Sequence, residues 1–192
     1  MNQKTADQYF EEGEEKAYAL PNRGPLRFTD DGSVHPEILS AYWRYGFYVL
    51  EGLIQPSEVD SLVADFDEVM DRAPKNSQTT LDAKGRPSIA AQFERATFQF
   101  AKPLSDPMGG TDSTGGRYPI KMREFEAPEE APDQVVLQIS GSLQMMDSNL
   151  RLYGHPELLR IAEAINGADF VPFTDAVWVK PAHYGAAVSW HQ

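Results

Sequence analysis

The chain has no cysteine among its 192 residues, so disulfide bonds and thiolate metal ligands are both excluded. Basic residues are few: 17 stand against 29 acidic ones, and the net charge of −12 disfavours nucleic acid and anionic membranes as partners. No apolar run reaches the roughly 18 residues that a membrane-spanning helix requires. The polar N-terminus has no signal-peptide core, so we expect a soluble, cytoplasmic protein.

Signatures of nucleotide-binding folds are also missing. No glycine-rich phosphate-binding loop follows a predicted strand, and no strand–helix–strand run is evident, so a Rossmann or P-loop fold is not expected. What is present is typical of a globular domain: 41% of the residues are hydrophobic and 11% are aromatic. Without cysteine, any metal site must draw its ligands from His, Asp and Glu.

Helical periodicity is clearest around two prolines. Residues 1–34 are charged and turn-rich and are predicted to form an N-terminal arm, with a short helix near residues 7–19. A firmer helix is predicted from Pro36 to Gly46, and His35 and His155 are predicted to cap helices or to contact solvent. Another helix opens at Pro56. Its apolar stripe is predicted to pack in the core and comprises Val59, Leu62, Val63, Phe66, Val69 and Met70.

Alternation of apolar and polar residues predicts three strands. The alternating apolar positions are Ala96, Phe98 and Phe100, then Val135, Leu137 and Ile139, then Val177 and Val179 in a last strand over residues 170–180. Residues 103–119 form a long loop of the kind that is usually functional or mobile, and residues 124–133 form an acidic, solvated stretch. The order of elements predicts an α+β protein with mostly antiparallel sheets.

Three stretches of the chain together resemble one family. The first is Tyr42-Trp-Arg-Tyr-Gly-Phe-Tyr-Val-Leu50, and the second is Gly154-His-Pro-Glu-Leu-Leu-Arg-Ile-Ala162. The third is Val177-Trp-Val-Lys-Pro181, which is followed by Ser189-Trp-His-Gln192. In this order and spacing they resemble the N-terminal part of the phytanoyl-CoA dioxygenase family, over residues 38–72 and 150–192.

The resemblance implies a non-haem Fe(II)- and 2-oxoglutarate-dependent dioxygenase that hydroxylates a small organic substrate with dioxygen. Its fold would be a double-stranded β-helix, a cupin-like jelly roll behind N-terminal helices, with residues 35–192 as the first portion of a domain that continues beyond the chain. His191 matches the first metal ligand of the family's His-x-Asp motif. The motif's aspartate, a distal histidine and a co-substrate arginine are then expected after Gln192, and the 192-residue piece alone is expected to be inactive.

Four further side chains are candidates for the site. Gln138 matches a co-substrate-binding position of the family, and Lys180 would place its ammonium near a carboxylate of 2-oxoglutarate or of a substrate. Trp178 and Trp190 are predicted to line the substrate pocket. Plainer alternatives are that Gln138 faces solvent and that Lys180 extends into water.

Two further alternatives concern a loop residue and the function as a whole. His183 is predicted to be an ordinary loop residue, because a flexible loop holds a metal ligand poorly. The alternative function is a non-catalytic binding or interaction protein with an oxygenase-like fold. An aspartate two residues after His191 in the parent gene would favour the oxygenase.

Overall fold

The structure is a computed structural model that describes residues 6–112 and 115–188. The chain divides into two compact units: Met1–Pro56 with Gly154–Val171, and Ser57–Tyr153 with Pro172–Gln192. Across the described ranges, helices accompany one sheet of two strands and one of three, and these strands do not close into a barrel. The predicted mixture of helices and sheets is therefore confirmed. In the same ranges, no helix is both long and apolar enough to cross a membrane.

The helices and strands are as follows. The helices are α1 (Ala6–Tyr18), α2 (Pro36–Tyr45), α3 (Pro56–Asp71), α4 (Ser142–Met145), α5 (Asp147–Tyr153) and α6 (Pro156–Asn166), with a 3₁₀ turn at Ile89–Gln92. The strands are β1 (Arg23–Gly24), β2 (Val49–Leu50), β3 (Thr97–Ala101), β4 (Val135–Ser140) and β5 (Ala176–Trp178). The first unit holds α1, β1, α2, β2 and α6, and the second unit holds the remaining elements.

The first unit contains a small strand–helix–strand arrangement that the sequence pattern did not predict. Strands β1 and β2 pair in parallel, with Arg23 opposite Val49, and α2 lies between them in the chain. The expectation that no such run exists is therefore wrong in this detail. Strands of two residues are too short to leave an alternating pattern, which explains the omission.

The two proline-led helices of the first unit begin and end near the predicted residues. His35 Nδ1 accepts the N–H of Glu37 at 3.4 Å, so this histidine caps α2 as predicted, and Gly46 ends the helix at φ 82°. The side chain of His155 makes no such cap bond at the start of α6. Helix α6 also has no fully buried residue, so its apolar stripe is only half-buried.

The second unit is built on the antiparallel sheet β3–β4–β5, as the alternation predicted. Ile139 on the central strand lies between Phe98 of β3 and Val177 of β5. The last strand is shorter than predicted, because pairing begins only at Ala176. Pro172 lacks a backbone N–H, and proline is disfavoured inside a sheet, which is consistent with the late start.

A bulge interrupts the pairing of β3 with β4. Gln99 lies opposite Gln138, but the next residue, Phe100, lies opposite Val136, so Leu137 is an extra residue on β4. Such an insertion breaks the strict alternation of the two strand faces. Val136 and Ile139 consequently share one core cluster, whereas Leu137 joins a second cluster.

The main core of the second unit covers one face of this sheet. Its buried members are Val69, Ile89, Val136, Ile139, Met146 and Val179. The prediction that the whole α3 stripe packs in the core is wrong for its N-terminal half, where Val59 is 45% and Val63 is 53% exposed. Only the C-terminal half of α3 contacts the core cluster, through Phe66, Val69 and Met70, and Val69 is fully buried there.

Aspartates tie the short helices to the rest of the second unit. Asp65 on α3 accepts both the backbone N–H and the hydroxyl of Ser148 at 2.8 and 2.6 Å, and these hydrogen bonds lower the pKa of Asp65. Asp175, just before β5, accepts the Ser142 hydroxyl at 2.9 Å and the Leu143 N–H at 3.1 Å. The start of β5 is thereby fixed to α4.

The segment after α3 has no periodic pattern but is well organised. The buried carboxylate of Asp82 accepts the N–H groups of Lys84 and Arg86, both at 2.9 Å, and the Arg86 Nε at 2.7 Å. Arg86 also reaches Asp71 at 2.9 Å. Burial raises the pKa of Asp82, but the hydrogen bonds from Arg86 and Lys84 outweigh it, so the net shift is below the ordinary value of 3.8.

We predict that acid loosens this segment. A carboxyl whose pKa is lowered by folding stabilises the folded state above its ordinary pKa, and this contribution disappears as the pH falls through the lowered value. Urea unfolding at pH values from 7 down to 3 should show a loss of stability below about pH 4, and Asp82→Asn should reduce that pH dependence. The exposed Asp67 provides the control, because Asp67→Asn should leave the pH profile unchanged. An Asp82→Asn profile identical to that of the wild type would contradict the prediction.

Candidate functional site

The sheet face opposite the main core carries a row of polar and aromatic side chains. Gln138 on β4 lies directly between Gln99 of β3 and Trp178 of β5. Phe98, Ile139 and Val177, which adjoin these three residues in their strands, face the main core, and successive side chains of a strand point to opposite faces. Directly opposed residues have Cβ atoms about 4.5–5.5 Å apart, so the three side chains form one contiguous surface.

This row is accessible to a ligand. Trp178 is 41% exposed, Gln99 is exposed and Gln138 is half-buried. The indole of Trp178 offers an apolar surface, while each glutamine amide offers both donors and an acceptor. The combination suits a small ligand with carboxylate or carbonyl oxygens and a short carbon skeleton.

Lys180 extends this surface beyond the end of β5. The N–H of Val179 donates to the carbonyl of Leu137 at 2.9 Å, so the strand geometry continues past Trp178. Because Val179 is buried in the main core, alternation places Lys180 on the same side as Trp178. Lys180 itself is exposed. The predicted candidates Gln138, Trp178 and Lys180 therefore lie on one face of the sheet.

Residues 181–187, which we call the strap, fold back over one end of this face. Within the strap, the N–H of Gly185 donates to the carbonyl of Pro181 at 2.9 Å. Ala186 is 1% exposed and packs against Ala101 and Leu137 in the second cluster. The strap thus covers the sheet next to the bulge at Leu137.

Backbone hydrogen bonds hold the strap to the start of the long loop. Leu104 donates its N–H to Tyr184 at 3.2 Å, and Ala187 donates its N–H to Ser105 at 2.7 Å. His183 lies in the strap, is exposed, and has φ 68°, in the left-handed region that few side chains adopt. Its position in a surface turn agrees with the loop interpretation.

The long loop is anchored from within by Asp106. Its fully buried carboxylate accepts the N–H of Gly109 at 2.9 Å and the N–H of Met122 at 2.6 Å. Its own N–H donates to Glu124 at 2.9 Å, and the Lys121 ammonium bonds to its carbonyl oxygen. The hydrogen bond from Lys121 is the main cause of the lowered pKa of Glu124. Asp106 therefore fixes the loop beside the segment to which the strap is bound.

Two predicted site residues cannot be placed in this arrangement. His191 and Trp190 lie outside the described residues. Gln99 was missed in the sequence analysis, although the predicted alternation of Phe98 and Phe100 puts it on the opposite face of the same strand. Its direct pairing with Gln138 depends on the register, which the pattern alone does not give.

The described residues suit an organic anion and do not form an iron site. No group of three His, Asp or Glu side chains in residues 6–112 and 115–188 could hold a metal ion. These residues alone therefore do not fit the iron site that the resemblance implies. The Lys180 ammonium and the Gln138 amide, in contrast, are donors suited to carboxylate oxygens.

Two other clefts are lined by residues that do not belong to this sheet face. A cleft of about 410 Å³ in the first unit is bordered by Arg160. Its guanidinium already donates to the Gly32 carbonyl at 2.8 Å and lies 4.2 Å over the Phe28 ring. A cleft of about 210 Å³ in the second unit lies between α3 and α5, beside Ser148. The sheet face is the candidate site because Gln138, Trp178 and Lys180 lie on it together. No family model, curated protein or solved structure matches the chain.

Proposed function

We propose that the chain is the N-terminal part of a non-haem Fe(II)- and 2-oxoglutarate-dependent dioxygenase, which hydroxylates a small organic substrate with dioxygen in the cytoplasm. The observation that supports this proposal is the position of Gln138, Trp178 and Lys180 on one accessible face of the β3–β4–β5 sheet. These are the residues assigned to the co-substrate and the substrate. In this proposal the sheet belongs to a jelly roll that strands after Gln192 complete.

The sheet face provides groups that recognise 2-oxoglutarate. This co-substrate carries two carboxylates and a keto group, and a charge-assisted hydrogen bond from Lys180 to a carboxylate is stronger than a neutral one. The amide of Gln138 would donate a second hydrogen bond from the neighbouring strand. The Trp178 indole would pack against the carbon skeleton of a substrate beside it.

The iron is assigned to His191 and to residues after Gln192. Iron held by two histidines and one carboxylate keeps open positions for 2-oxoglutarate and dioxygen, and it would supply the oxidative chemistry of the proposed reaction. Because the described residues contain no group of three metal ligands, we assign them co-substrate binding and no chemical step.

The proposed function is tested by co-substrate dependence in the protein that carries the complete His-x-Asp motif. Lys180→Ala should raise the 2-oxoglutarate concentration for half-maximal succinate formation about ten-fold, the effect of losing one charge-assisted hydrogen bond. Gln138→Leu should raise it less, because a neutral donor is lost, and both variants should keep most of the maximal rate. The measurement is succinate formation as a function of 2-oxoglutarate concentration.

The control is Lys16→Ala, which removes an exposed lysine of α1. Its 2-oxoglutarate requirement should equal that of the wild type. An unchanged requirement in both site variants would contradict the assignment of this face. Binding of 2-oxoglutarate to the wild type without any succinate would favour the alternative, a binding protein with an oxygenase-like fold.

A further inference from the structure

We propose that Gly185 is a positioning residue for Lys180: the strap packs against the stem of this lysine and directs its ammonium towards a carboxylate of the co-substrate. This inference rests on the proposed function of the same site. It assigns a role to a residue that contacts no substrate and that no sequence pattern singles out.

The space around Gly185 is too small for any side chain. A Cβ added there would lie 2.6 Å from Cγ of Lys180, 2.9 Å from the Pro181 carbonyl oxygen and 3.2 Å from the Lys180 carbonyl carbon. Gly185 is not among the glycines with positive φ, so glycine is required here by close approach. The contact atom Cγ lies near the base of the side chain, so its displacement would move the whole ammonium group.

The strap cannot easily shift to make room. Ala186 is buried against the sheet directly after Gly185, and the N–H of Ala187 is bonded to Ser105 at 2.7 Å. On the other side, the carbonyl of Tyr184 accepts the N–H of Leu104 at 3.2 Å. With the strap held on both sides of Gly185, added bulk would displace the stem of Lys180.

Restricting the Lys180 stem has a direct consequence for binding. A free lysine has a flexible four-carbon chain and must be ordered when a ligand binds. A stem already packed against the strap loses less conformational freedom, so its ammonium binds a carboxylate more tightly. Gly185 thereby sets the affinity for the anion without touching it.

The experiment follows Lys180 directly in the protein that carries the complete His-x-Asp motif. Lysines are reductively methylated with ¹³C, the Lys180 signal is identified by its loss in Lys180→Arg, and 2-oxoglutarate binding is titrated by NMR. In Gly185→Ala the Lys180 signal should move away from its wild-type position, because its stem is displaced, while the signal of Lys16 should stay where it is. The half-saturating 2-oxoglutarate concentration should rise about ten-fold, as in Lys180→Ala.

Two further variants identify the cause. Gly185→Ala combined with Lys180→Ala should bind 2-oxoglutarate no more weakly than Lys180→Ala alone, because residues acting through one contact are not additive. Gly13→Ala is the matched control, since a Cβ at Gly13 meets no atom within 4 Å. It should leave both the Lys180 signal and the titration unchanged.

Each result decides the inference. An unmoved Lys180 signal and an unchanged titration in Gly185→Ala, while Lys180→Ala weakens binding, would overturn it. If circular dichroism shows that Gly185→Ala does not fold, Ala187→Pro replaces it, because it removes the N–H bonded to Ser105 and keeps Gly185. A displaced Lys180 signal in that variant supports positioning by the strap, and an unmoved one overturns it.

Failure of the proposed function gives a different result. A wild-type protein that carries the complete motif and binds no 2-oxoglutarate would contradict the co-substrate assignment. A displaced Lys180 signal in Gly185→Ala would still support the positioning of Lys180 in that case.

Discussion

Replacing Ile139 by alanine should lower the free energy of unfolding by about 2–5 kcal/mol. Ile139 is 0% exposed and lies on the central strand, between Phe98 and Val177 on the two neighbouring strands. Truncation removes most of its side chain and leaves a cavity in the main core. The hydrogen-bonded ladders on both sides of β4 prevent the sheet from closing around that cavity.

The measurement is urea unfolding followed by circular dichroism, with Phe173→Ala as the control. Phe173 is larger and equally apolar but is 93% exposed, so its truncation should change the free energy of unfolding by less than about 0.5 kcal/mol. Equal losses in the two variants would contradict the placement of the core on this face of β4.

Strand alternation predicted the antiparallel sheet because its core residues recur at period two. Phe98 and Phe100 both face the main core, and so does Val177. The bulge at Leu137 was not predictable in the same way. Residues on both faces of this part of β4 are apolar, so a shift in register leaves no change in the pattern.

The polar networks were not predictable, because their partners are distant in sequence and follow no period. Asp106 accepts the N–H of Met122, 16 residues later, and Asp65 binds Ser148, 83 residues later. Local pattern analysis registers only neighbours along one helix or strand. The sequence therefore predicted only a long, functional or mobile loop for residues 103–119, although Asp106 is fully buried within them.

The candidate site was predictable only where its residues belong to a local strand pattern. Gln138 and Lys180 stand out in the sequence as polar residues within or next to apolar strands, and the alternation of side chains places Lys180 on the side of Trp178. Gln99 lies at the site because β3 pairs with β4, and Gly185 lies against Lys180 because the strap folds back. Those contacts depend on tertiary structure, so they carry no local signal.

Replacing His191 by alanine should reduce succinate formation below detection in the protein that carries the complete motif, with an unchanged circular dichroism spectrum. In the proposed function this imidazole is the first ligand of the iron, and two remaining ligands hold a divalent metal far less tightly. The main core of the second unit is formed by buried apolar residues, Ile139 and Val69 among them, so the fold should survive. His35→Ala is the control: this histidine caps α2, and its loss should leave succinate formation intact. Normal turnover in a folded His191→Ala protein would refute the oxygenase assignment. If turnover is lost in His191→Ala but retained in Lys180→Ala, the two residues have different roles, His191 as the metal ligand and Lys180 as the co-substrate contact.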